Sequence, residues 1–264
     1  MKKQLFWLLA LSAMVLHYSG YSSQAEPEPG NSSEKPTISA DQQEPSRIVE
    51  SNGTTVILPA SYNKQKTYPA MVLLPFTGGT ASDFFERRFE KFYRERKANP
   101  FIIILPAGRG STNDYSTGNA FSATIQRYEN HIKSDLKVLI PKYNIDASRV
   151  SLSGYSLGAD LGWALSLRNP DLFRGAVLID SICGYRLASN MNRLAKKGFR
   201  AFLIAGQKEA NERNHPMYEV KALLDRNKIF NVYKEFPNSD HYAVVKTIPL
   251  EMFMQSVDYS LALR

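Results

Sequence analysis

A short motif near the middle of the chain carries the residue types needed for nucleophilic catalysis. Gly154, Ser156 and Gly158 form the pattern G-x-S-x-G, with a β-rich apolar run at 150–153 before it and a helical pattern at 157–168 after it. Between a strand and a helix, this pattern places the serine on a tight, strained turn whose hydroxyl projects above the sheet edge. A Cβ at either glycine would collide with a neighbouring strand or helix. The motif predicts Ser156 as the nucleophile of an acyl-transfer reaction.

A serine hydroxyl is a weak nucleophile at neutral pH and needs a base within hydrogen-bond reach. The chain has four histidines. His17 lies in a predicted leader, His131 lies within a predicted helix, and His215 precedes Pro216 at a predicted helix start. His241 follows the last predicted strand, where the C-terminal ends of parallel strands present ligands and catalytic groups. His241 is therefore the predicted base.

The residues on both sides of the motif carry a family resemblance. Residues 143–150 read Tyr-Asn-Ile-Asp-Ala-Ser-Arg-Val, and residues 164–173 read Ala-Leu-Ser-Leu-Arg-Asn-Pro-Asp-Leu-Phe. Together with the motif, they resemble the α/β-hydrolase superfamily, and within it secreted bacterial esterases related to carboxylesterases and polyhydroxybutyrate depolymerases. The resemblance begins near Arg47 and covers about four-fifths of the chain. It implies a serine esterase that works through an acyl-enzyme and needs no cofactor.

The acid that orients the histidine has two candidates. The superfamily order is serine, then Asp or Glu, then histidine. Glu209 is the first choice, because it follows Gly206 after the penultimate predicted strand and matches the family pattern Gly-x-x-Asp with Glu in place of Asp. Asp180, one strand earlier, is the alternative acid, since some relatives supply the acid from that strand. The expected triad is Ser156, Glu209 and His241.

An oxyanion formed during acyl transfer needs two backbone N–H donors. Leu157, directly after the nucleophile, is expected to supply one of them. Relatives supply the other from the turn after the first long apolar strand, where His-Gly precedes the donor. Here Pro75 and Phe76 stand in that place, so Thr77 is the expected donor. Asp160 is predicted to stabilise the helix dipole and not to take part in the chemistry. No His, Cys or Asp cluster has ligand spacing, so no metal is expected.

Strands and helices alternate along the chain in the pattern of a mostly parallel sheet. Strands are predicted at 47–51, 54–58, 70–74, 101–105, 150–153, 175–179, 201–205 and 231–236. Helices are predicted at 82–97, 124–140, 157–168, 187–197, 215–227 and 247–263. The polar loop 106–122, with Arg109 and Tyr115, and the segment 181–188 are expected to shape the pocket. The pattern predicts a single-domain α/β fold, with helices on both faces of the sheet.

The N-terminal region has the features of an export signal. Lys2 and Lys3 precede an apolar stretch at 5–16, and small residues precede a cleavage position after Ala25. We therefore expect a signal peptide at 1–25, a flexible Pro- and Ser-containing linker at 26–46 and the hydrolase domain at 47–264. The location predicted is periplasmic or secreted, with no stable membrane insertion after cleavage. The single cysteine, Cys183, excludes an internal disulfide and is predicted to be a buried apolar residue.

The charge and composition of the chain limit the classes of partner that we expect. The formal net charge is +8, but the basic residues are interleaved with acidic ones, so no nucleic-acid partner is expected. The predicted substrate is a small-molecule or polymer-linked carboxylic ester. Two alternatives stay open at this point: a peptidase or thioesterase with the same triad, or a non-catalytic α/β-hydrolase-like binding protein of the cell envelope.

Overall fold

A computed structural model describes residues 45–209 and 215–263. Among these residues, eight strands form one sheet in the order β1-β2-β4-β3-β5-β6-β7-β8. The strands are β1 (Ser46–Val49), β2 (Thr55–Leu58), β3 (Tyr68–Leu73), β4 (Ile102–Leu105), β5 (Ile145–Tyr155), β6 (Gly175–Ile179), β7 (Arg200–Gly206) and β8 (Phe230–Phe236). β1, β2 and β4 pair antiparallel, and the pairs from β4 to β8 are parallel. The predicted mostly parallel sheet is confirmed.

The described helices lie between the strands. They are α1 (Ala81–Phe84), α2 (Glu90–Glu95), α3 (Gly118–Tyr143), α4 (Leu157–Arg168), α5 (Met191–Lys196), α6 (His215–Arg226), α7 (His241–Thr247) and α8 (Leu250–Ser260). A π-helical turn, Phe85–Phe89, joins α1 to α2. Within the described ranges, no helix combines the length and the apolar character that crossing a membrane requires.

Two apolar layers cover the sheet, one on each face. Side chains of α3, α4, α5 and α6 pack on one face, and Trp163 of α4 is fully buried there. The π-helical turn, α2, α7 and α8 contribute the other layer, which is rich in phenylalanine. Every residue of β3, β4 and β6 is buried, which explains their uninterrupted apolar sequences. The structure is the single-domain α/β fold with helices on both faces that the sequence predicted.

The helix after the nucleophile, α4, has the predicted bounds, but other helix boundaries differ. Helix α1 begins at Ala81, one residue before the predicted start, and Thr80 caps it through reciprocal hydrogen bonds with Asp83. Helix α3 begins at Gly118, six residues before the predicted start, because the Thr117 hydroxyl caps it. The predicted helix 247–263 corresponds to α8, and the helix α7 that ends at Thr247 was not predicted; Pro249 separates the two.

The predicted signal peptide and nearly all of the predicted linker lie outside the described residues. Pro45 and Ser46 are the last two residues of that linker, and Ser46 already belongs to β1. The linker boundary predicted from composition therefore falls one residue inside the first strand.

Candidate active site

Ser156 lies on a sharp turn between β5 and α4. Its backbone angles, φ 55° and ψ −122°, lie outside the regions that side-chain-bearing residues ordinarily adopt. The Ser156 amide donates to the carbonyl of Ile179 in β6, at 3.0 Å, and its carbonyl accepts from Ala159 and Asp160 in the first turn of α4. The strained turn that the motif predicts is present, and it is anchored on both sides by backbone hydrogen bonds.

The two glycines of the motif stand where backbone segments approach closely. A Cβ on Gly154 would lie 2.2 Å from the carbonyl carbon of Gly158. A Cβ on Gly158 would lie 2.8 Å from the carbonyl oxygen of Pro75, at the end of the strand that precedes Thr77. These contacts are with backbone atoms, which cannot move aside. The elbow glycines thus let α4 pack directly on β5 and on the turn after β3.

This packing predicts a large loss of stability for Gly154→Ala. The added methyl group would overlap the Gly158 carbonyl, and overpacking of this kind costs about 3 kcal/mol of unfolding free energy or more. Gly118→Ala is the matched control, because a Cβ there meets nothing within 4 Å and Ala favours the helix. Urea unfolding measures both variants. Equal urea unfolding midpoints for the two variants would contradict the close backbone packing at Gly154.

The imidazole of His241 lies between Ser156 and Asp180. Its Nε2 is 3.0 Å from the Ser156 Oγ, so the hydroxyl can donate to this nitrogen. Its Nδ1 is in hydrogen-bond contact with the Oδ2 of Asp180, which fixes the tautomer with the proton on Nδ1. Asp180 has no exposed surface, and Ser156 and His241 are nearly buried. Three groups from the ends of different elements thus form one continuous chain of contacts.

The structure brings the alternative acid, Asp180, to the histidine. The carboxylate in contact with His241 Nδ1 is that of Asp180. Asp180 directly follows β6 with φ 53°, and this left-handed conformation accompanies its turn toward His241. Glu209 ends a 3₁₀ turn after β7, Gln207–Glu209.

The Gly-x-x-Glu sequence that pointed to Glu209 has another explanation. A Cβ on Gly206 would lie 2.5 Å from the carbonyl oxygen of Ser239. The same carbonyl accepts a hydrogen bond from the Lys208 amide, at 2.9 Å. Glycine is therefore needed where the loop that leads to His241 crosses the end of β7. The segment that begins at Gly206 thus supports, through its own backbone, the loop that leads to His241.

Tyr155 and Asp240 hold the histidine in place. The Tyr155 hydroxyl donates to the His241 carbonyl at 2.8 Å, and its ring stacks on the imidazole with centroids 5.0 Å apart. Asp240 caps α7, its carboxylate accepting from the amides of Tyr242 and Ala243. The sequence did not identify Tyr155, although its place between Gly154 and Ser156 puts it beside the nucleophile.

The two expected oxyanion donors lie on elements that meet at Ser156. Leu157 is the first residue of α4, and amides in the first turn of a helix have no partner within that helix. Thr77 forms a bridge with Gly110, and the Gly78 amide donates to the Gly110 carbonyl at 2.9 Å. Thr77 and Ser156 line the same cavity. The roles of Leu157 and Thr77 as oxyanion donors stay predictions.

A cavity of about 560 Å³ opens over the serine. Its size lies in the range of small-molecule binding sites. Aromatic side chains dominate its walls, and the described residues that line it are Phe76, Thr77, Tyr115, Tyr155, Ser156, Asp160, Ile182, His241 and Tyr242.

The loops predicted to shape the pocket contribute in part. Tyr115 and Ile182, one from each predicted segment, line the cavity. Arg109 instead lines a separate cavity with His131 and Asp114.

Asp160 lies in the first turn of α4, as expected, and its side chain has a further role. It is 3% exposed and lies in the cavity wall, where it accepts hydrogen bonds from the hydroxyls of Tyr115 and Ser181. The Cys183 amide also donates to it, at 2.9 Å. The Cys183 side chain is buried, as predicted, and burial together with the negative charge of Asp160 raises the pKa of its thiol to about 12. This cysteine is therefore unreactive at neutral pH.

The remaining histidines are not brought to this site by any described contact. His131 lies in α3 and contacts Thr54 and Asp135. His215 begins α6, and His17 lies outside the described residues. Over residues 45–209 and 215–263, no three His, Cys, Asp or Glu side chains are grouped as metal ligands.

These features define an α/β-hydrolase. The serine lies on a turn between a strand and a helix, the histidine follows the last strand, and a buried aspartate completes the set on an eight-stranded, mostly parallel sheet. Residues 46–245 match the model of the esterase family that is described as "Putative esterase". Because the match covers most of the chain, the protein belongs to this family. It is a hydrolase of carboxylic esters, as the resemblance implied.

Solved structures of esterases and related hydrolases share the fold. A ferulic acid esterase of Anaeromyces mucronatus superposes with a TM-score of 0.60 at 17% identity, over 86% of this chain and 94% of that one. The feruloyl esterase module of Clostridium thermocellum gives 0.54 at 16% identity, over 83% and 85%. An S-formylglutathione hydrolase of Staphylococcus aureus gives 0.54 at 14% identity, over 83% and 94%. At these identities the likeness establishes the fold.

Proposed function

We propose that the protein is an exported serine esterase whose triad is Ser156, His241 and Asp180. The observation that carries this proposal is the continuous contact from the Asp180 carboxylate through the imidazole to the Ser156 hydroxyl. In this arrangement His241 takes the serine proton as Ser156 attacks the ester carbonyl. Asp180 keeps the Nδ1 proton in place and stabilises the imidazolium that forms.

The reaction then passes through an acyl-enzyme. Ser156 Oγ bonds to the carbonyl carbon, and the oxyanion accepts hydrogen bonds from the amides of Leu157 and Thr77. His241 returns its proton to the departing alcohol as the bond between carbonyl carbon and alcohol oxygen breaks. A water molecule, deprotonated by His241, then releases the acid and restores the serine.

We infer that the preferred ester has an aromatic acid part. Phe76, Tyr115, Tyr155 and Tyr242 supply the walls of the cavity, and aromatic rings pack well against aromatic rings. Two of the structurally similar proteins are ferulic and feruloyl esterases, and this agrees with such a preference. Comparing kcat/KM for methyl cinnamate and methyl octanoate tests it. A higher value for the octanoate would contradict the aromatic preference.

A fluorophosphonate probe tests the serine chemistry itself. Such a probe labels only an activated serine, so we expect stoichiometric labelling of the folded wild-type protein at Ser156, located by mass spectrometry. Heat-denatured protein is the control and should remain unlabelled. Folded protein that takes up no label would contradict the proposed mechanism and favour a non-catalytic binding protein.

Export rests on the N-terminal sequence. A basic start, a short apolar stretch and small residues before the expected cleavage position after Ala25 are typical of a signal peptide. We expect a mature protein that begins at Glu26. N-terminal sequencing of the protein from its native envelope fraction measures this, and retention of Met1 in the membrane fraction would contradict it.

A further inference from the structure

The turn after β3 has the features of a type II turn. The Gly79 amide donates to the Phe76 carbonyl at 2.9 Å, and Gly78, the third residue, has a φ of 82°. Thr77 is the second residue of this turn. Its amide belongs to the same peptide group as the Phe76 carbonyl, and it is the second expected oxyanion donor.

Gly110 binds this turn to the loop that follows β4. Its amide donates to the Gly79 carbonyl and its carbonyl accepts from the Gly78 amide, both at 2.9 Å. The Arg109 guanidinium donates to the Gly78 carbonyl as well. Backbone hydrogen bonds in both directions therefore hold the turn against Gly110.

Gly110 also packs between the peptide group of the Thr77 amide and the side chain of Leu157. A Cβ at Gly110 would lie 2.3 Å from the Phe76 carbonyl oxygen and 2.8 Å from the Leu157 Cδ2. The first of these contacts is with backbone, which cannot move aside unless the peptide group turns. Gly110 does not have a positive φ, so the position requires the absence of a side chain and not an unusual backbone conformation.

A fixed Phe76 carbonyl fixes the direction of the Thr77 amide. In a trans peptide group, the C=O and N–H bonds lie in one plane and point in opposite directions. The carbonyl faces Gly79 and Gly110, so the Thr77 N–H points away from them. No described residue accepts a hydrogen bond from this amide, and Thr77 lines the cavity together with Ser156. The contacts that hold the carbonyl therefore set the direction of this donor.

We propose that Gly110 is a positioning residue for ester hydrolysis, which acts by orienting the Thr77 amide toward the oxyanion. The proposal rests on the esterase function and on the role of Thr77 proposed above. An oxyanion forms only as Ser156 attacks the carbonyl, so a misdirected amide destabilises the transition state and not the bound substrate. Gly110 itself takes no part in the bond changes.

Gly110→Ala is the direct test. The added methyl group must turn the peptide group that carries the Thr77 amide. We expect kcat for methyl cinnamate to fall about a hundredfold, since loss of one oxyanion donor costs about 10²–10³, while KM changes less than about threefold. A folded Gly110→Ala protein with the kcat of the wild type would overturn the proposal.

Gly175→Ala is the matched control for a general loss of stability. A Cβ at Gly175 would lie 2.4 Å from the Ser260 carbonyl oxygen, an overlap of the same kind. Gly175 begins β6, at the opposite end of that strand from Asp180. We expect this variant to lose stability toward urea and to keep its kcat per folded molecule. An equal loss of kcat in both variants would show that Gly110 acts only through stability, against the proposal.

A phenylethyl trifluoromethyl ketone separates oxyanion stabilisation from substrate binding. Ser156 Oγ bonds to the ketone carbon, the serine proton passes to His241, and the ketone oxygen becomes an oxyanion. The corresponding trifluoromethyl carbinol has the same shape but cannot form this adduct. In Gly110→Ala, we expect the inhibition constant of the ketone to rise about a hundredfold and that of the carbinol to change less than about threefold. Unchanged or equally changed constants for the two compounds would contradict the proposal.

Thr77→Pro keeps the proposal testable if Gly110→Ala does not fold. Proline has no N–H and is favoured at the second position of a type II turn. We expect a folded protein with a similar loss of kcat and, where both substitutions fold, no additional loss in the double variant. The kcat of the wild type in Thr77→Pro would show that Gly110 has no donor to position.

The serine chemistry is read out separately. Wild-type hydrolysis and fluorophosphonate labelling at Ser156 report the proposed triad, whereas the comparison of Gly110→Ala with Gly175→Ala reports the role of Gly110. Loss of labelling and of all hydrolysis in the wild type would contradict the proposed function. An active wild type whose two glycine variants behave alike would contradict the role of Gly110 alone.

Discussion

Ser156→Ala is expected to lower kcat for ester hydrolysis about 10⁴-fold or more and to leave the protein folded. The hydroxyl contacts His241 and forms the acyl bond, whereas the elbow is held by backbone hydrogen bonds and by the glycines on either side. Steady-state hydrolysis of methyl cinnamate measures the activity, and circular dichroism with urea unfolding measures the fold.

Ser153→Ala is the matched control for this variant. Ser153 lies in the same strand, three residues before the nucleophile, and its buried hydroxyl has no hydrogen-bond partner in the described part of the chain. Removing an unpaired buried hydroxyl costs little or nothing in unfolding free energy. Activity should therefore stay near that of the wild type. A fully active Ser156→Ala protein would show that another group attacks the ester.

Asp180→Asn is expected to lower kcat/KM by about four orders of magnitude, the effect that the same substitution has in a serine protease triad. An amide cannot stabilise the imidazolium, and it favours the wrong tautomer of His241. Asparagine suits this test because it tolerates the positive φ of Asp180 better than most residues do. The loss should thus be one of activity, measured with the same ester and with the fold checked by circular dichroism.

Glu209→Gln is the companion variant, because it removes the carboxylate that the sequence favoured. We expect it to keep most of the wild-type kcat/KM, since Asp180 occupies the Nδ1 side of His241. The opposite pattern would assign the acid to Glu209: a crippled Glu209→Gln protein with a nearly active Asp180→Asn protein. Equal and severe losses in both would indicate that the two carboxylates act on the histidine together.

Local sequence predicted the nucleophile because the chemistry of the elbow depends on neighbouring residues. Gly154 and Gly158 lie against each other, and Gly158 also lies against the backbone just after β3, so the glycine spacing identifies the turn. His241 could be found for a similar reason, as it lies in the short segment after the last strand. In both cases the signal lies within a few residues of the functional group.

The acid could not be predicted in this way. Asp180 and Glu209 both follow parallel strands, and the choice between them depends on which carboxylate points toward His241. The positive φ of Asp180 accompanies that direction, and the loop before His241 packs on Gly206, a contact between residues that are far apart in the sequence. The same holds for Asp160, whose partners Tyr115 and Ser181 come from two distant loops.

The place of β8 in the sheet puts one member of the triad after an edge strand. Ser156 and Asp180 follow interior strands, whereas His241 follows β8, which lies at the end of the sheet, pairs only with β7 and is partly exposed along its length. Peripheral segments of a protein open with lower free energy than the core does. Ester hydrolysis should therefore stop when β8 separates from β7, while most of the sheet is still intact. Loss of ester hydrolysis should therefore report local unfolding at β8 more sensitively than spectroscopic measures of overall structure do.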